Sequence, residues 1–194
     1  IYGQYFNAEG TIFGGENSIL ITDAANGQIK PSITFNIIEN EVLVCWEDFE
    51  NGVDNNINCK KINLTDLSVQ TSYIISDEPG GQTTPFVYSS LDGTYMIVWE
   101  DRRNTPTADI YYQALNSDGF IYQSGGVVVC NAYYEQFNPK IEVYSEIDNS
   151  YVIFWDDMRS TGKAELKGVY AQSITLNSIG CPLMDVNNDG IIDI

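Results

Sequence analysis

Three short stretches follow a tryptophan with paired acids, two of them beside bases: "VCWED" ending at Asp48, "IVWEDRRN" with Glu100, Asp101, Arg102 and Arg103, and "FWDDMR" ending at Arg159. Paired carboxylates can run glycoside hydrolysis, one as acid and the other as base or nucleophile. Glu100 with Asp101 is thus a candidate hydrolytic pair, and Arg103 a candidate substrate clamp. The chain has no histidine, which removes Ser-His-Asp and Cys-His catalysis and histidine-ligated zinc. A carboxylate pair survives that exclusion.

Recurrence argues for a structural role instead. Trp46, Trp99 and Trp155 each precede two acids, and Gln28, Gln82, Gln136 and Pro31, Pro85, Pro139 step along the chain by 54 residues. A group that catalyses is needed once, whereas a group that closes a turn is needed in every unit. The tryptophans are therefore expected to pack between units. The second carboxylate, Asp48, Asp101 or Asp157, should accept backbone N–H bonds in the turn after its strand. Arg103 and Arg159 should pair with an acid or stack on a ring, although Glu50 stands at this position in the first unit. Symmetry is expected to spread the acids around a ring rather than gather them, and no catalytic residue is assigned.

A 54-residue period is the mark of solenoids, propellers or arrays. Each unit holds short runs of Val, Ile, Tyr, Phe and Trp between Gly, Asn, Asp and Pro, with no helical period, so the class is all-β. The second strand of a unit is apolar on both faces: Val42, Val44 and Trp46 alternate with Leu43 and Cys45. It must be covered on both sides, as the middle strands of stacked propeller blades are; a β-sandwich is the rival. The reading is a β-propeller over 1–180, with a partial blade at 1–23 and blades at about 28–77, 82–131 and 136–175. The strands of the second blade are expected at about 84–89, 94–100, 109–115 and 125–130, with each repeat proline at the start of a first strand. The count is 2, 4, 4 and 3 strands, so both terminal blades are incomplete.

Among the four cysteines, Cys45 and Cys59 fall opposite one another across a hairpin whose turn spans 48–56, which predicts a cross-strand disulfide. Cys130 and Cys181 are left for a second one. Disulfides imply an oxidising compartment, and Asn63-Leu64-Thr65 is a glycosylation sequon. At 181–194 a separate segment ends in "DVNNDGIIDI". Asp185, Asn187, Asp189, the Ile191 carbonyl and Asp193 occupy positions 1, 3, 5, 7 and 9 of an EF-hand-type calcium loop, with Gly190 at the turn. The acid due at position 12 is missing, so this calcium site is incomplete.

A net charge of −18 repels phosphate backbones and anionic headgroups, which argues against nucleic acid and membrane partners. The repeat resembles secreted bacterial β-propellers built from Q-x-x-P, V-x-W-E-D-x-R and D-I-Y-x-Q, with "VWEDRRNTPTADIYYQALNSDG" its nearest copy. The tail is similar to the first half of a dockerin repeat, which implies calcium and a docking partner. The expectation drawn from all this is a non-enzymatic extracellular structural module that assembles with copies of itself by completing blades, for example in a fibre. A carbohydrate-binding or adhesive propeller, with Tyr111, Tyr112, Tyr133 and Tyr134 stacking on glycans, is the alternative. An acid-pair glycoside hydrolase fragment comes third.

Overall fold

The structure, a computed structural model, describes residues 1–13, 18–104, 106–119, 123–145, 149–159 and 168–176. The calcium-loop residues and Cys181 lie outside the described residues.

All regular elements described are strands. One antiparallel sheet joins β5 (Gln28–Asn36), β6 (Glu41–Asp48), β7 (Asn56–Asn63) and β8 (Val69–Ser76) in sequence order. The next repeats it with β9 (Gln82–Ser89), β10 (Tyr95–Asp101), β11 (Asp109–Leu115) and β12 (Val127–Cys130). A third holds β13 (Gln136–Ser145), β14 (Ser150–Asp157) and β15 (Gly168–Thr175). Near residue 1, β1 (Tyr2–Gly3) pairs with β4 (Ile19–Leu20), and β2 (Tyr5–Phe6) with β3 (Ile12–Phe13). The expected all-β class and two four-stranded meanders are present, and the fold is β-propeller-like.

Double-sided burial explains the apolar strands. Every residue of β10 and β11 is buried. Tyr95, Ile97 and Trp99 face the β5–β8 sheet, where they meet Leu43, Cys45, Ile57 and Cys59. Met96 and Val98 face the opposite way, onto Ile141, Tyr151, Ile153 and Trp155 of the third sheet. Alternation along one strand thus serves two interfaces. At the first sheet, Val44, Trp46 and Ile62 pack on Ile21 and Ile1.

Cys45 and Cys59 are direct cross-strand partners and form the expected disulfide, with Cα atoms 4.0 Å apart. The 14-residue separation corresponds to a stabilisation of about 3 kcal/mol from loop closure. Cys130 is buried and forms no disulfide among the described residues.

The prolines need one correction. The first strands begin at Gln28, Gln82 and Gln136, three residues before the prolines, and the ladder slips between Ile29 and Ser32 and between Phe137 and Lys140. The prolines sit in bulges rather than at strand starts. The residue before each is left-handed: Lys30 at φ 50°, Thr84 at 55° and Asn138 at 55°. None is glycine, so each costs about 1–2 kcal/mol and must be held by its surroundings.

Candidate functional site

The repeated acids gather where two sheets meet. Glu47, at the end of β6, accepts a hydrogen bond from the backbone N–H of Thr84 in the following sheet at 2.7 Å. Glu100 accepts one from Asn138 N–H at 3.0 Å. These are the left-handed residues, so the first carboxylate of each Trp-acid-acid set holds the strained bulge of the next sheet. Both acids are almost fully buried. Basic groups border them: Lys30 Nζ lies 2.8 Å from Glu47 Oε1, and Arg102 bridges Glu100 to Glu135, 2.7 Å away.

Glu100 Oε2 also accepts from Oγ1 of Thr83, its cross-strand partner on β9, at 3.1 Å. The two acids serve successive junctions, Glu47 that between the first and second sheets and Glu100 that between the second and third.

The second carboxylates form a different network. Trp46, Trp99 and Trp155 donate their indole N–H to Asp48, Asp101 and Asp157 at 2.8, 2.8 and 2.9 Å. The other carboxylate oxygen accepts from the backbone N–H two residues on, that of Glu50, Arg103 or Arg159. Arg103 and Arg159 pair with their aspartates at 2.5 and 2.6 Å. Each guanidinium also lies 4.2 Å from a ring centroid, that of Tyr111 or Tyr170. For Asp157, burial opposes ionisation, but the bonds from Arg159 and Trp155 outweigh it and hold the carboxyl below its usual range.

The first repeat, which lacks the arginine, solves the same problem with Asn58. It occupies the position of Tyr111 and Tyr170, and its Nδ2 donates to Asp48 Oδ2 at 3.0 Å. An Arg-Tyr pair in two repeats is thus replaced by one amide in the other. The signal lies in "INCK" against "IYYQ" and "VYAQ", where Asn stands for Tyr in the one repeat that carries Glu50 in place of the arginine.

Asp109 is a second carboxyl in this network, directly across from Asp101. Burial and then the Asp101 charge push it up to about 6. The matching positions carry Asn56 and Gly168, so this acid pair belongs to one repeat. A further buried ion pair went unseen in the sequence: Lys61 Nζ lies 2.9 Å from Glu41 Oε1, which also accepts from Tyr95 Oη at 2.8 Å. Lys61 is 2% exposed and donates to the Ser117 carbonyl of the next sheet.

Of the four tyrosines expected to meet glycans, Tyr111 and Tyr112 are core residues, at 6% and 2% exposure. They are strand residues whose rings fill the junctions. Tyr133 and Tyr134, in the loop between β12 and β13, are exposed and pack edge to face at 4.9 Å. Among the described residues no group of three or more cysteines and acids converges to hold a metal.

No family model matches this sequence, and no curated protein does. Solved structures do match in fold. An endo-1,4-β-xylanase from Bacteroides thetaiotaomicron is similar at 11% identity over 84% of this chain and 55% of its own, with a TM-score of 0.51. An α-L-arabinanase from Cellvibrio cellulosa, solved with arabinohexaose, is similar at 10% identity over 86% of this chain and 61% of its own, also at 0.51. The chain therefore spans little more than half the length of the structures it matches.

These matches overturn the expectation of a non-enzymatic module that assembles with its own copies. The proteins that share the fold are enzymes that act on glycans. Repetition explained why the repeated acids are structural, but it bears only on residues that repeat, and it was extended too far in excluding an enzyme. The strand deficit at the two ends gave no independent support, because this chain is about half as long as its structural matches.

Proposed function

We propose that this chain forms blades of a secreted glycoside hydrolase of the β-propeller kind, acting on plant-type polysaccharides related to arabinan or xylan. The observation that carries the reading is the fold shared with a xylanase and an arabinanase, an argument by analogy of fold. The Cys45–Cys59 disulfide agrees with an extracellular setting.

Within that reading the repeated acids are wall residues. Glu47 and Glu100 are fully engaged in holding bulges, and Asp48, Asp101 and Asp157 in closing turns, so the hydrolytic carboxylates are assigned to none of them. Glycan contact falls to the loop between β12 and β13. There Tyr133, 80% exposed, offers an apolar ring face for a sugar. Glu135 and Arg102, beside it, offer hydrogen bonds to hydroxyls.

Affinity electrophoresis through gels containing arabinan or xylan tests the proposal. The expected result is retardation by at least one of the two and its loss, tenfold or more in apparent Kd, in Tyr133→Ala. Free migration in both gels would overturn it.

A further inference from the structure

The two complete junctions between sheets define how a first strand is normally covered, and β5 departs from that pattern. Val87 and Ile141 are 4% and 2% exposed, yet Ile33, one repeat earlier, is 64% exposed. Pro85 and Pro139 are buried while Pro31 is exposed, and Gln82 and Gln136 are buried while Gln28 is only partly so. Ile29 and Phe35 extend the same open face at 51% and 49% exposure. An apolar strand presented to water along its length is costly, at roughly 25 cal/mol per Å² of apolar surface.

Outward of β5 the middle strands of the first sheet are covered, while Ile74 on β8 is 55% exposed. Trp46, Val44 and Ile62 are 1–3% exposed beneath Ile1 and Ile21. The strands that cover them begin with "IYGQ", the sequence that opens the third strand in "IYYQ" at Ile110. β1 to β4 thus stand as the third and fourth strands of a unit, beside which Ile1 and Ile21 shield the middle strands of the first sheet. The inner part is shielded elsewhere by first and second strands. Val87, for example, packs among Leu43 and Cys45 of β6, and its N–H donates to Ser32 Oγ of β5 at 3.2 Å.

We propose that a β-hairpin of the same repeat class, whose second strand ends in Trp-acid-acid, docks on the open face of β5 and completes the sheet begun by β1–β4. Its first acid accepts the N–H of Lys30, as Glu47 accepts that of Thr84 and Glu100 that of Asn138. Lys30 has the same left-handed backbone as those two, and no carboxylate among the described residues holds its N–H. The apolar column, the strained bulge and the covered middle strands all fix the same occupant. The inference is independent of any glycan activity.

Because Ile1 aligns with Ile110, a copy of residues 82–109 fused directly before Ile1 places such a hairpin in register. The expected result is at least tenfold slower hydrogen exchange at the Ile33 and Phe35 amides, reduced binding of a hydrophobic dye and a raised Tm. Ile33→Asp should leave the unfused chain unchanged within 1 °C in Tm and abolish the gain in the fused one. The same fusion with its copied Glu100→Leu should keep the packing gain but lose protection at the Lys30 amide, because leucine has no acceptor. Unchanged exchange and dye binding in the fused chain would overturn the proposal. So would a concentration-dependent dimer of the unfused chain with β5 already protected, since a second copy would then be the occupant.

Discussion

Asn58 Nδ2 donates to Asp48 Oδ2 at 3.0 Å, taking the oxygen that Arg103 and Arg159 hold in the next two repeats. The requirement in every repeat is a donor for that oxygen, and the identity of the donor is free. Charge is not equally free, because a partly buried guanidinium left without its anion loses charge-assisted bonds, whereas an amide loses one neutral bond.

Asp101→Asn should therefore destabilise the protein by about 2–3 kcal/mol, the loss of charge-assisted bonds to a partly buried guanidinium. Asp48→Asn should cost only about 1–2 kcal/mol, the cost of one poorly satisfied polar group. Urea denaturation of the two variants checks this, and equal losses would show that the arginine contributes nothing through its charge.

Thr84 is β-branched and left-handed at φ 55°, where Asn138 stands in the next repeat. Asn tolerates that backbone better. Thr84→Asn should stabilise by about 0.5–1 kcal/mol, read as a higher urea midpoint at unchanged slope. A loss would mean that the Thr84 hydroxyl, which accepts from Lys30 at 3.3 Å, outweighs the backbone relief.

Asp109 predicts a pH dependence. Its carboxyl titrates at about 6 in the folded chain and near 3.9 in an unfolded one. The folded state therefore keeps its proton longer. The stabilisation linked to that proton is full below about pH 4 and is lost as pH rises through 6. Thermal melts from pH 4 to 7.5 should show this fall in the native protein relative to Asp109→Asn, and parallel profiles would refute it.

The all-β class, the strand positions of the second repeat and the Cys45–Cys59 bond were legible in the sequence because each follows from local spacing. Double-sided burial of β10, for instance, is written in alternating Tyr95, Ile97, Trp99 and Met96, Val98. The hold of Glu47 on Thr84 and of Glu100 on Asn138 was not legible, since each joins strands of different sheets. The Lys61–Glu41 pair was equally hidden: a lysine at the end of "INCKK" reads as a solvated charge until a neighbouring sheet closes over it. Tyr111 and Tyr133 look alike as residues, and only the sheet that covers the first separates core from surface.

The hold that Glu47 has on Thr84, and Glu100 on Asn138, runs one way along the chain. The second unit takes its anchor from the first and the third from the second, but each contact stabilises both of its partners. Damage to the second repeat should therefore loosen both neighbours, since Leu43 and Cys45 on one side and Ile141 and Ile153 on the other are buried against it.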